Sequence, residues 1–235
     1  MSAFNELNTI MLSTLMSYLT KCRVSGNRRE AMKKLIFSFM VLGLILSGAA
    51  CAQKVMLLDN FEGDIVKGPT GTIDAGAGNG SSVTVSADKN IKHSGAQSLK
   101  IVYDAVGGGY IWVARGYGLD VKGAAKWLTE PEKVNWSKYG AISFYMYGAG
   151  SGARMAFDVK DAGGEMFRFM VTDDFKGWKK IVCPFSKFFA RGDWQPPAAV
   201  TNGTLDFPIK SFQFEPIAIA KGTIYVDEAA LEKLN

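Results

Sequence analysis

The chain has 235 residues, 48% of them hydrophobic, with 27 basic and 22 acidic side chains and a net charge of +5. The excess sits at the front: six basic and two acidic residues precede Gln53, leaving 21 against 20 and a net +1 behind it. A nearly neutral domain lacks the basic footprint that nucleic-acid binding requires, and the lone cysteine behind Gln53, Cys183, excludes an internal disulfide framework.

Residues 1–31 carry no export logic and precede a better start at Met32, so they read as an upstream misassigned start or a disordered segment. Met32-Lys33-Lys34, the apolar run 35–46 and the small residues 47–52 have the layout of a secretory signal over 32–52. The run is too short for a comfortable membrane span of roughly 20 residues, which weakens the alternative of a retained anchor. Two processing sites compete. Ala50-Cys51-Ala52 before Gln53 suits ordinary signal peptidase, whereas Cys51 could instead be lipidated, although Gly48 stands where lipoprotein signals usually place Leu. Either route exports the domain 53–235 to an extracellular, periplasmic or cell-surface location, and only the lipidation of Cys51 would give it a membrane contact.

Behind the leader, strands are predicted at 55–61, 83–87, 98–104, 110–115, 141–147, 153–160, 166–172, 178–184, 209–215 and 223–229. No stretch sustains the 3.6-residue helical period. Short strands between Gly, Asn, Asp and Pro signals predict an all-β, two-sheet sandwich. Ile142, Phe144 and Met146 alternate with Ser143, Tyr145 and Tyr147, and Met155, Phe157 and Val159 with Ala156, Asp158 and Lys160. The period of two gives each sheet one buried and one exposed face. The exposed set then places Tyr145 and Tyr147 beside Asp158 and Arg168 on one face. Phe144, Phe157, Phe167, Phe169, Trp178, Phe212 and Phe214 are assigned to the core. Residues 76–82 read as a flexible glycine loop, and the long connection 188–208 as a functional one.

No nucleophile motif or zinc spacing occurs, and His93 lies alone in a polar loop. A glycosidase would need two paired carboxylates, which the sequence does not pair. Asp59 and Glu62 end the first strand and Asp227 the last. If those strands are neighbours, the three could hold calcium through hard oxygens, or merely cap loops by hydrogen bonding. Aromatic side chains on an exposed face are the means of stacking on pyranose rings, with polar groups bonding the hydroxyls. Tyr110, Trp112, Tyr145, Tyr147 and Trp194 are the candidate surfaces, and Trp194 stands out in a polar, proline-bounded loop.

Several stretches carry a family resemblance. They are Leu58-Asp59-Asn60-Phe61-Glu62-Gly63, Trp136-Ser137-Lys138-Tyr139, Trp178-Lys179-Lys180-Ile181 and Pro184-Phe185-Ser186-Lys187-Phe188. The most specific is Arg191-Gly192-Asp193-Trp194-Gln195-Pro196-Pro197 with Gly203-Thr204-Leu205-Asp206 behind it, and Val226-Asp227 follows near the end. Residues 55–231 resemble family 11 carbohydrate-binding modules. The resemblance implies a galactose-binding-like β-jelly roll whose concave cleft takes β-1,4-linked or mixed-linked β-glucan, with structural calcium. By position it assigns Tyr110, Arg191 and Trp194 to the cleft, Gln213 to the place of a cleft histidine, and Glu62 and Asp227 to the metal. Pro216 and Lys210 depart from the family pattern, standing for a tyrosine and an aspartate.

The preferred expectation is therefore a non-catalytic, exported β-glucan-binding protein. Tyr110, Trp112, Tyr145, Tyr147 and Trp194 stack on sugar, Asp158, Arg191 and Gln213 bond its hydroxyls, and Asp59, Glu62 and Asp227 bind calcium. The alternatives are an envelope scaffold using the same sandwich to bind a protein partner, and a glycoside hydrolase.

Overall fold

A computed structural model of the chain describes residues 55–119, 121 and 127–233. The leader at 32–52, the segment 1–31 and Cys51 lie outside the described residues. Strands β1 (Met56–Asp59), β3 (Ser82–Asp88), β4 (Ser98–Ala105), β6 (Ala141–Ala149), β9 (Lys176–Pro184) and β12 (Ala220–Glu232) form one sheet, in the order β3-β4-β12-β6-β9 with β1 also on β12. The other runs β10 (Phe189–Ala190), β8 (Met166–Thr172), β7 (Arg154–Lys160), β11 (Ser211–Pro216), β5 (Tyr110–Gly116) and β2 (Asp74–Gly78). All these pairings are antiparallel, and the architecture is the expected two-sheet sandwich.

The alternation read from sequence decides which side chains meet between the layers. Phe144 of β6 packs on Phe157 of β7 at 4.7 Å and on Phe214 of β11 at 5.1 Å, joining the sheets through one core. All three rings are fully buried, each worth roughly 1.5–3 kcal/mol of transfer free energy. The outward positions of the same strands are left to carry function.

β12 is longer than its predicted span because it serves two partners on one edge. Ala220–Val226 pair with β4, whereas Ala229, Ala230 and Leu231 pair with β1. The register shifts between Asp227 and Ala230, where Glu228 adopts φ +48°, so a bulge re-aims the strand. The first and last strands are neighbours, as the sequence suggested.

Four expectations are corrected. Of the glycine loop expected over 76–82, residues 76–78 belong instead to the edge strand β2, ordered on β5 through Gly76↔Trp112 and Gly78↔Tyr110. Phe189 and Ala190, inside the long connection, add a short edge strand on β8. Trp178 leaves the core: Ile181 and Cys183 point inward, so Trp178 faces outward opposite Tyr147. Tyr145 and Tyr147 do not share a face with Asp158 and Arg168, because β6 belongs to the first sheet and β7 and β8 to the second. Alternation separates inside from outside, but it does not say which sheet a strand joins.

Candidate functional site

The outer face of the second sheet carries a transverse row of paired residues. Asp74 of β2 lies opposite Ala114 of β5, which faces Gln213 of β11. Gln213 faces Asp158 of β7, Asp158 faces Arg168 of β8, and Arg168 faces Phe189 of β10. The small Ala114 stands between larger neighbours, and a cleft of about 660 Å³ opens over the Asp74, Ala114 and Gln213 part of this row.

Aromatic rings flank the cleft. Tyr110 and Trp112 are i, i+2 neighbours on β5 and therefore share its outer face. Their rings lie 6.0 Å apart at 21°, nearly parallel, and the Trp112 indole N–H donates to Asp74 Oδ1 at 2.8 Å. Trp194 comes from the loop behind β10, its ring 5.6 Å from the Arg191 guanidinium. Tyr110 is 49% exposed and Trp194 51%, so their faces are available to a ligand.

Gln195 fixes the Trp194 loop to the sheet. Its amide accepts from Met166 N at 2.7 Å and donates to Met166 O at 3.0 Å, as a paired strand residue would, and it also donates to Arg191 O at 2.8 Å. Trp194 therefore stands beside the sheet edge on a tethered loop.

Beside Trp194 lies an ion network. Arg168 binds Asp158 in a fork at 2.8 and 2.9 Å and reaches Glu215 at 3.0 Å. Arg191 binds Asp193 at 2.7 and 3.0 Å, Glu215 at 2.8 and 3.1 Å, and Asp158 at 3.1 Å. Two guanidinium groups meet three carboxylates, leaving the floor one charge negative. Burial raises the Glu215 carboxyl above its ordinary range, with Arg191 pulling against it and Asp158 adding to it. Burial would also raise Asp193, but the Arg191 hydrogen bonds and charge outweigh it and hold that carboxyl low. Removing one partner from such a buried set costs about 3–5 kcal/mol, because the others are left uncompensated.

Of the residues predicted to bind sugar, Tyr110, Trp112, Arg191, Trp194 and Gln213 line this cleft. Asp158 points toward it but is fully buried beneath the two arginines, so it supports the floor rather than offering a hydroxyl contact. Arg191 has its fork filled by carboxylates, which makes it a holder of Asp193 and Glu215 first. Tyr145 and Tyr147 lie on the other sheet: Tyr145 stacks on His93 at 3.5 Å, and Tyr147 meets Trp178 and Tyr225 edge-on. The prediction missed Asp74, Asp193 and Glu215 as cleft groups. The Arg-Gly-Asp-Trp spacing could have found Asp193, since i and i+2 carboxylate and guanidinium readily pair across a turn.

The three predicted metal ligands do not gather into one set. Both Asp59 oxygens are taken by Arg115, at 2.7 and 3.0 Å, and Phe61 N donates to one of them. Glu62 and Asp227 instead reach a common segment: Glu62 accepts from Ala96 N at 2.8 Å, and Asp227 from His93 N at 3.0 Å and Ser94 N at 3.1 Å. Among the described residues no three His, Cys, Asp or Glu side chains form a metal-holding group.

Comparison with known proteins places this geometry in a family. The model for the carbohydrate binding domain of family 11 matches residues 47–232, more than three quarters of the chain. The chain belongs to family 11. Its fold is similar to the family 11 module of the cellulosomal cellulase Lic26A-Cel5E of Clostridium thermocellum, with a TM-score of 0.58 and 26% identity. That match covers 78% of this chain and 96% of the other. A Clostridium thermocellum family 11 module in complex with a β-1,3-1,4-mixed-linked tetrasaccharide gives a TM-score of 0.59 at 26% identity, covering 77% and 97%. Endoglucanase H of Acetivibrio thermocellus is 34% identical over 105 residues, which is 41% of this chain. The match spans only 12% of that relative's length.

Proposed function

We propose that this family 11 domain binds β-glucan, β-1,4-linked or mixed-linked, in the cleft of the second sheet and does not cleave it. The observation that carries the reading is the pair of half-exposed rings, Tyr110 and Trp194, lining one polar cleft. A pyranose presents an apolar C–H face that lies on such a ring, while its equatorial hydroxyls reach polar groups at the side. Asp193 and Gln213 are the polar groups nearest at hand. The mixed-linked tetrasaccharide bound by a relative of the same family supports the choice of ligand. Binding without hydrolysis is favoured by the state of the deep carboxylates, since Asp158 and Glu215 are each held by two arginines and neither is free to serve as acid or base.

Affinity electrophoresis tests this directly. Gels containing mixed-linked or β-1,4-glucan should retard the protein, gels containing an α-glucan should not, and no reducing sugar should be released. Trp194→Ala should weaken retention by about 1–3 kcal/mol, the scale of stacking an aromatic ring on a flat partner, with little change in Tm because the ring stands outside the core. Equal retention of the variant and the wild type would remove Trp194 from the site.

Calcium belongs to the same reading, restricted to Glu62 and Asp227. Asp227 is fully buried beside Glu228 and bonded by backbone amides, and Glu62 accepts from the same segment, so these two carboxylates supply hard oxygens of the kind calcium takes, with backbone carbonyls and water left to complete its roughly six to eight ligands. The ion would supply counter-charge and tie the segment 93–97 to the ends of β1 and β12. Calcium at a hundredfold excess over its Kd should stabilise the fold by about 2.7 kcal/mol, chelator should reverse this, and Glu62→Gln should abolish the response. A Tm indifferent to calcium would strike the ion from the proposal.

A further inference from the structure

The glycines of β2 have no role in the function as stated so far, yet each lies directly opposite a cleft ring. In a strand, side chains stand roughly perpendicular to the sheet. Trp112 and Tyr110 do not: their rings lean across onto the neighbouring strand. A Cβ added at Gly76 would come within 3.0 Å of three ring carbons of Trp112. One added at Gly78 would come within 3.0 Å of the Tyr110 ring and its hydroxyl oxygen. Both rings occupy space that any other residue would fill with its own side chain. The lean is secured at the far end by the Trp112 indole N–H bonded to Asp74 Oδ1, on the same strand.

We propose that Gly76 and Gly78 are positioning residues that let Trp112 and Tyr110 lie down as one continuous two-ring floor, on which two consecutive sugar rings of the glycan rest. An upright ring presents its edge and fills the cleft above Ala114. A ring laid over glycine presents its face and leaves the cleft open. The near-parallel planes, 6.0 Å between centroids, follow from the two glycines being i, i+2 on β2 and paired in register with i, i+2 on β5. The indole donor is already satisfied by Asp74, so what Trp112 offers a ligand is its apolar face. This rests on the glucan-binding reading and assigns part of its site.

The bland alternative is that the rings merely shield the backbone of edge glycines, which aromatic cross-strand neighbours do in sheets generally. The two readings separate by experiment. Neither glycine has the left-handed φ that would forbid a side chain, so alanine should strain only the ring contact. Gly76→Ala should weaken retention on mixed-linked β-glucan by about tenfold, the scale of one lost stacking contact. Added to Trp112→Ala it should weaken retention no further, because the ring it displaces is gone. In ¹⁵N-correlated NMR spectra the Trp112 indole N–H, identified by its loss in Trp112→Phe, should shift in Gly76→Ala. Gly78→Ala provides the parallel test on Tyr110 should the first variant fold poorly. An unmoved indole resonance, or a moved one with retention intact, would overturn the role of the glycines while leaving wild-type binding in place. Wild-type protein that is not retained by any β-glucan would overturn the ligand and this role together, and is recognised by that loss.

Discussion

At the scale of single residues, the cleft sorts its charges by depth. Asp158 is fully buried, Arg191 nearly so, and the Asp193 side chain is 56% exposed. The deep groups set the floor, and Asp193 is the carboxylate of the three that solvent reaches. Its carboxyl is drawn below the ordinary 3.8 despite the opposing effect of burial, by hydrogen bonds and charge from Arg191 and by the charge of Arg168. A depressed folded value means stability that is complete above the ordinary one and is lost as pH falls through the folded one. Glu215 has the opposite sign: its raised carboxyl contributes fully below 4.5 and loses that contribution as pH rises through its folded value. The two therefore oppose each other in the whole-protein curve, and a single-site comparison is needed. Asp193→Asn should lower Tm most above the ordinary carboxylate value of 3.8 and converge with the wild type as pH falls through the depressed folded value, where the wild-type carboxyl takes up its proton. Circular dichroism melts across that range would show it, and a gap independent of pH would mean the Arg191–Asp193 pair contributes nothing through its charge.

At the scale of elements, the sequence was most legible where one strand carried its own pattern. Residues 166–172 were bounded correctly from alternation alone, and Ile142, Phe144 and Met146 were rightly turned inward. β2 was illegible for a physical reason. Asp74-Ala75-Gly76-Ala77-Gly78 has no bulky side chain, and its order comes from the rings of β5, so its strand character belongs to a pairing rather than to a segment. β10 is two residues long, below what any period can register. Trp178 was a misreading of available information, since counting back by twos from Ile181 and Cys183 already turns it outward. The Trp194 loop, singled out by its polar, proline-bounded sequence, lines the cleft. Its tether was hidden because Gln195 acts as a surrogate strand residue toward Met166, which only the fold brings within reach.

At the scale of the whole molecule, a sandwich has two outer faces, and alternation cannot assign an outward residue to one of them. Tyr145 and Tyr147 share the outward character of Tyr110 and Trp112, but β6 lies in the other sheet, with the core and a layer spacing of about 10 Å between. Their rings are also occupied by protein partners. His93 covers Tyr145 at 3.5 Å, and Tyr147 sits edge-on between Trp178 at 5.5 Å and Tyr225 at 5.9 Å. Each such aromatic pair contributes about 0.5–1.5 kcal/mol beyond its area burial. Tyr147→Ala should therefore lower Tm, while retention on β-glucan, measured well below that Tm, stays at the wild-type value. Because Trp194→Ala is expected to do the reverse, the two variants form a crossed pair: one loses stability without binding, the other binding without stability. A Tyr147→Ala protein that stays folded yet is released from glucan as readily as Trp194→Ala would put the ligand on the face of the first sheet.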